Sequence, residues 1–363
     1  MAQRVTLGTP GAPLTTNRVA RVATEGREIG CDNVALDRVK KELGKCKEKP
    51  SNDLAGASLT SARLTPVQAR AVIVGKVAHI VQGKCGVRRE VIDFFVELLN
   101  LSINDETLLP SLPSGASDAE AFRAVADVAC GDGMRLLNGN TVFVSGKVEA
   151  AGLKRPGITA PERTVFEQGA CGSAAVAALS LKALGELLPA AEAFAALSCE
   201  ALQADTASYS EASAEARAHK SEVAVAEDLR LLLEGSKCVN PRKRACQLWS
   251  VKALPQLHGR ARDTAAAAAA AVATELASGA AAPPPPPSPA LHAAAAALLQ
   301  AVAWLVEASS ERVAAMAGEL RNITGAPVDP ALRSAAAAVA QGAAQVQVRA
   351  REHAGGARPG AGA

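Results

Sequence analysis

The sequence predicts a mainly α protein. Aromatic residues make up only 2% of the 363-residue chain while hydrophobic residues reach 49%, so Leu, Val and Ala must fill the core. Ala and Leu are strong helix formers. Apolar residues also recur at helical spacing in one segment after another. A chain of this length can bury one extended core or two smaller ones.

Residues 1–63 read as a small mixed N-terminal segment. Val5-Thr6-Leu7 fits a short strand, and Thr15-Thr16-Asn17 can cap a helix running towards Val22. Asn33–Leu43 has helical spacing, with Val34, Leu36, Val39 and Leu43 on one face, and 45–58 reads as loop. From residue 64 the texture changes. A helix is expected over 67–82, with Val72, Val74, Val77, Ile80 and Val81 apolar and Gly83 and Gly86 ending it. A second follows over 89–100, carrying Val91, Phe94, Phe95, Leu98 and Leu99. A Pro/Ser/Gly loop at 109–117 leads into a helix over Asp118–Cys130, stopped by Gly131-Asp132-Gly133.

Residues 141–148 suit a short strand. Apolar helices are expected over 172–188 and 190–202, an amphipathic one over 221–233, and an Ala-rich one over 264–278. The run Pro283 to Pro287 cannot continue a helix and favours an extended polyproline segment. It serves as a linker over 281–290, and low-complexity drift explains it better than a docking motif, since no basic flank accompanies it. C-terminal helices are expected within 291–353, at 290–318 and 331–350, before a disordered tail at 354–363.

A net charge of +3 gives no electrostatic case for nucleic acid or an anionic membrane. The eight cysteines are scattered, with no CxxC pair and no His at zinc-ligand spacing. They read as reduced, mostly buried thiols of a cytoplasmic protein, and no metal is expected. The N-terminus has no apolar core of a secretory signal, and the Ala-rich stretch 265–272 is too short to span a bilayer, so a soluble chain is expected.

Several segments, in order, carry a resemblance. Gly83-Lys84-Cys85-Gly86-Val87-Arg88 is similar to Gly-x-Ser-Gly-Val-Arg, and Leu98-Leu99-Asn100 then leads through a Pro-rich loop to Gly115-Ala116-Ser117. Leu197-Ser198-Cys199-Glu200-Ala201-Leu202 is similar to Leu-Ser-x-Glu-Ala-Leu, Arg217-Ala218-His219 to the start of Arg-Pro-His-Pro-Gly-Gln, and Gly235-Ser236 closes a Leu-Leu-x-Gly-Ser. The fullest match is Trp249-Ser250-Val251-Lys252-Ala253-Leu254-Pro255-Gln256-Leu257-His258-Gly259, against Tyr-Ser-Leu-Arg-Cys-x-Pro-Gln-Val-His-Gly. Together they resemble the aromatic amino acid ammonia-lyase and aminomutase family over about 65–278. The resemblance implies a long central helix bundle over 64–280 and a homotetramer with shared active sites. It also implies elimination of ammonia from an aromatic amino acid of the Phe, Tyr or His type. In that family an Ala-Ser-Gly triplet cyclises, losing two waters, to a methylidene-imidazolone electrophile that helps the amine depart while a Tyr takes a weakly acidic proton.

Carried over residue by residue, the pattern breaks. The triplet maps to Ala116, Ser117 and Asp118, by substitution or by deletion of the Gly. Ring closure needs a tight backbone turn that Gly permits and a Cβ opposes. The Tyr base loop has no counterpart, and the second Tyr is Trp249, which has no hydroxyl. The lone Tyr, Tyr209, aligns with a structural aromatic. The substrate-carboxylate Arg becomes Lys252, keeping the charge and losing the bidentate fork. The Asn supporting the electrophile becomes Gln168, and only His292 remains of a late Phe-His-Gly.

Local readings compete with these. Ser117 and Glu120 form a Ser-x-x-Glu capping box, and Lys252 is either an anion anchor or a solvated lysine. His79, His219 and His258 read as structural or surface residues, and Cys171 as packing. The expected outcome is an impaired lyase, or a non-catalytic helical subunit assembling with itself or with an active paralogue.

Overall fold

The computed structural model describes residues 4–43, 63–113, 117–137, 140–241, 246, 248–280 and 289–324. The expectations for 45–58, the proline run, 331–350 and the tail lie outside these residues, as does Ala116. In chain order the elements are β1 (Val5–Leu7), α1 (Thr16–Thr24), β2 (Ile29–Cys31), α2 (Asn33–Leu43), α3 (Pro66–Gln82), α4 (Arg89–Leu101), α5 (Asp118–Cys130), β3 (Met134–Leu137), β4 (Asn140–Phe143), α6 (Ser145–Ala150), α7 (Ala160–Phe166), α8 (Cys171–Ala201), α9 (Glu211–Glu215), α10 (Lys220–Leu232), α11 (Trp249–Lys252), α12 (Leu254–Ala277) and α13 (Ala290–Thr324). The fold is mainly α, as the sequence predicts. It divides into two compact units, one of 1–182 with 269–288, the other of 183–268 with 289–363.

The first unit begins with β1 and β2 paired in parallel, Val5 opposite Ile29. Thr15 caps α1 by accepting from the Arg18 N–H. Asn100 serves β2 as a neighbouring strand would: its Oδ1 accepts from the Ile29 N–H at 2.8 Å and its Nδ2 donates to the Ile29 carbonyl at 3.1 Å. On α2 the buried face is Ala35, Leu36 and Val39, while Val34 is exposed, contrary to expectation. Asp32 explains the difference, because its Oδ1 accepts from the Val34 and Ala35 N–H groups and fixes Val34 in the solvent-facing first turn.

Helix α3 is buried all along 69–81 and starts at a Thr65–Gln68 capping box with Pro66 at its first position. It ends at Gly83 with an extended backbone rather than a left-handed one. Glycine is required there by proximity: a Cβ would stand 2.2 Å from the Ala280 carbonyl oxygen and 2.5 Å from the Ala280 nitrogen. Gly83→Ala should therefore lower the stability by about 1–3 kcal/mol through overpacking, read as a drop in the thermal midpoint.

The N-terminus of α4 is tied to α7. The Arg88 backbone N–H and Nε donate to Glu162 Oε1 at 2.8 and 2.9 Å, and Nη2 donates to Oε2 at 2.9 Å. Glu162 Oε2 also accepts from the Thr159 N–H and hydroxyl, closing the capping box of α7. Strands β3 and β4 pair antiparallel, Met134 opposite Phe143, so the expected strand at 141–148 ends at Phe143 and 145–150 is helical.

Where two helices were expected at 172–188 and 190–202, one helix of 31 residues runs through Pro189. A proline lacks the N–H that would bond the fourth preceding carbonyl, here that of Gly185, and its ring crowds that turn; the helix nonetheless continues to Ala201. Helix α12 likewise starts at Leu254, ten residues before the expected 264.

In the second unit Tyr209, Leu229, Val251 and Leu254 are core residues of one cluster, and Leu257, Ala261, Ala301 and Leu305 of another. Arg262 binds Glu192 through Nε at 2.9 Å and also pairs with Asp228 at 2.6 Å. His258 is buried beside this network, its Nδ1 3.8 Å from Glu192 Oε1. By length and composition alone, the segments 160–201 and 290–319 are apolar enough to cross a membrane.

Candidate functional site

Residues 117 and 118 stand at the junction of two helices in the first unit. Ser117 precedes α5 in an extended conformation, φ −66° and ψ 154°. Its Oγ accepts from the Glu120 N–H at 3.4 Å, and Glu120 Oε2 accepts from the Ser117 N–H at 3.1 Å. This is the capping box read from the sequence. Ser117→Ala should cost about 1 kcal/mol of stability, measured by chemical denaturation.

Asp118 caps a different helix. Its Oδ2 accepts from the Ser173 N–H at 3.0 Å and its Oδ1 from the Ser173 hydroxyl at 2.5 Å. Ser173 lies in the first turn of α8, where free N–H groups and the helix dipole favour an anion. Gly172 lets the two helices close, since a Cβ there would stand 3.0 Å from the Phe122 ring and 3.4 Å from the Asp118 carboxyl carbon.

Next to this junction lies a charge that the periodicity reading passed over. Lys76 is fully buried in α3, donates to the Gln168 carbonyl at 2.6 Å, and sits 4.3 Å from the centre of the Phe122 ring. Burial pushes its ammonium pKa down, and Cys171, Cys85 and Asp118 act in the opposite direction. The signal was available: a lysine inside a helix apolar on every side has no solvent face to occupy. Cys171 is buried packing, its thiol pushed up to about 12 by burial. Gly75 lets α3 approach it, since a Cβ there would stand 2.7 Å from the Cys171 carbonyl oxygen. Gln168 is half-buried, and its side-chain Oε1 has no hydrogen-bond partner among the described residues. Lys76 thus bonds to the Gln168 backbone and lies within the field of the Asp118 carboxylate.

Trp249 and Lys252 lie in the second unit, on the single turn of α11. Trp249 is 61% exposed. Lys252 is half-buried and forms no ion pair among the described residues; its carbonyl accepts from the Ser208 hydroxyl at 3.1 Å. Tyr209 is structural, as read: fully buried, it donates to the Val251 carbonyl at 2.6 Å, and burial drives its pKa far upwards. Its hydroxyl proton is committed to that carbonyl. His79 is buried, its Nδ1 3.1 Å from the Ser278 carbonyl, while His219 and His292 are exposed. No group of three His, Cys, Asp or Glu side chains converges as a metal site among the described residues.

The family profile described as "Aromatic amino acid lyase" matches residues 54–284. This stretch is well over half of the chain, and the chain belongs to that family. Among curated relatives, it is 27% identical to a histidine ammonia-lyase of Koribacter versatilis over 290 residues, covering 70% of this chain and 56% of the relative. It is 31% identical to a probable histidine ammonia-lyase of Halobacterium salinarum over 214 residues, covering 58% of this chain and 39% of the relative. The chain therefore spans about half or less of the length of these relatives. Its fold is that of a tyrosine aminomutase from Streptomyces globisporus, with a TM-score of 0.78 and 18% identity over 95% of this chain and 78% of that one.

Members of the family normally form a methylidene-imidazolone from their own chain, and the geometry tests whether these residues fit one. The five-membered ring would join the nitrogen of residue 118 to the carbonyl carbon of residue 116, so both backbone torsions of residue 117 must fold towards zero. Ser117 is instead extended and pinned by its capping box. Residue 118 carries a Cβ, and its carboxylate is engaged at the start of α8. The described residues do not fit the group.

Proposed function

We propose that this chain is a member of the aromatic amino acid lyase family that keeps the helical scaffold without the elimination chemistry. The observation that carries this reading is the pair of helix caps: Ser117 closes α5 and Asp118 closes α8. The missing hydroxyl at Trp249 and the burial of Tyr209 support it, because neither can take a proton. The related reaction is loss of ammonia from an aromatic L-amino acid to give an arylacrylate, and the relatives' names make histidine the first substrate to try. Any residual recognition of such an amino acid would rest on Lys252 pairing with its carboxylate as a point charge.

The expected result is an intact mass equal to the unmodified sequence, with no urocanate, cinnamate or coumarate formed from histidine, phenylalanine or tyrosine. A mass lower by two waters together with any of these products would overturn the reading.

The role left to such a chain is that of a cytoplasmic helical subunit, assembled with itself or with an active relative. Leu187, Phe194 and Leu197 support this. They lie on one face of α8 and are 61%, 71% and 59% exposed, a cluster that invites a partner surface. Sizing with light scattering should give an oligomer, and a strict monomer that also fails to co-purify with an active lyase would remove the subunit role.

A further inference from the structure

A concavity in the first unit is lined by none of the candidate-site residues. It has a volume of about 340 Å³ and is lined by Arg4, Val5, Arg18, Arg21 and Arg27. Four of the five lining residues are cationic and none is acidic. Like charges gathered around one hollow repel each other, so an arrangement of this kind is most stable when an anion fills it.

Two of the arginines are held by backbone oxygens that leave their charge uncompensated. Arg4 Nε donates to the Ile29 carbonyl at 3.0 Å, and Arg18 Nη1 donates to the Ala12 and Pro13 carbonyls at 2.8 and 3.2 Å. These bonds use one nitrogen of each guanidinium. Arg21 is exposed in the last turn of α1. Only Arg27 meets a carboxylate, Glu25 at 3.4 Å, and Glu25 also lies 3.9 Å from Lys182. Among the described residues, three guanidinium charges therefore have no carboxylate partner.

Guanidinium groups pair with phosphate oxygens through two parallel N–H bonds. A single phosphate cannot offer such an edge to three or four of them from one compact position. Two linked phosphoryl groups can, and they carry a matching charge. The volume lies at the small end of the range for small-molecule sites. We propose that this cavity binds the pyrophosphate group of a small molecule, either free pyrophosphate or a nucleoside diphosphate.

The test is calorimetric titration of the full chain at low ionic strength with pyrophosphate, ADP and inorganic phosphate. Pyrophosphate should bind with one site per chain, at least about tenfold tighter than inorganic phosphate, and weaken as salt is raised. Equal affinity for pyrophosphate and ADP assigns the site to the free group, and tighter ADP assigns it to the nucleotide. Arg21→Ala should weaken binding about tenfold without moving the thermal midpoint, because no structural bond of that guanidinium is removed. Arg260→Ala, an exposed arginine of the second unit, should leave binding unchanged. Absence of binding, equal affinity for inorganic phosphate, or an equal loss in the Arg260 variant would overturn the proposal.

Discussion

Glu162→Ala should be among the most damaging single substitutions in the first unit, lowering the unfolding free energy by about 3–5 kcal/mol. Its carboxylate is almost fully buried and accepts from Arg88 three times and from Thr159 twice. Truncation leaves the Arg88 guanidinium, 25% exposed, without its counter-charge and removes the carboxylate half of the α7 capping box together with the tie to α4. Glu162→Gln keeps the shape and one oxygen, so its loss should be smaller. Urea denaturation followed by far-UV circular dichroism separates the three proteins, and an Ala variant as stable as the parent would refute the account. The pH dependence has a definite sign. Burial pushes the Glu162 carboxyl pKa up, but the bonds from Arg88 and Thr159 outweigh it and hold the pKa below the usual value. Its contribution is present above the ordinary carboxylate range and is lost as pH falls through the depressed value.

Acid should also loosen the second unit through His258. Burial lowers its pKa from 6.5 to about 4, and Arg312 and Arg262 add to the effect. Glu192 lies 3.8 Å away yet does not rescue the imidazolium, because both its oxygens are already engaged by Arg262. Between those two pH values the unfolded chain binds the proton and the folded chain does not, so stability falls as pH is lowered from 6.5 towards 4. The full shift corresponds to about 3 kcal/mol as an upper figure. His79, in the first unit, is also lowered to about 4 by burial, and by Lys76, but there Asp127 opposes it. Burial raises the Asp127 carboxyl to about 6, which favours the folded state as pH falls below that value. Hydrogen exchange at pH 4.5 against pH 7 should therefore show the peptide 254–268 losing protection, and His258→Gln should flatten that loss. An unchanged pH response in the variant would show that His258 is not its source.

Much of this was legible in the sequence where a local rule decides the outcome. Ser117 followed by Glu120, and the Gly131-Asp132-Gly133 stop, bracket α5 because caps and left-handed glycines act within a few residues. The family was legible because its motifs survive in order even where individual residues changed. What escaped lies partly in local rules that apolar spacing does not carry, and partly in partners far away in the chain. Val34 follows the apolar pattern, yet Asp32 turns it outwards. Pro189 reads as a helix end, but the helix continues through it. Asn138-Gly139 was a hairpin signal between β3 and β4 that apolar alternation alone did not raise. No sequence rule could show that Asp118 reaches Ser173, 55 positions along, or that Lys76 answers to the Gln168 carbonyl.

The bond between Asp118 and Ser173 also makes the chain's history hard to run backwards. A path from this sequence to an Ala-Ser-Gly triplet by substitution passes through Asp118→Gly, which deletes the cap of α8 and adds backbone freedom at the first residue of α5. Each such intermediate is less stable than its parent and gains nothing in return until the backbone around Ser117 can also fold. The cap therefore works as a ratchet: removing Asp118 costs stability at once, and further changes are needed before the triplet can close.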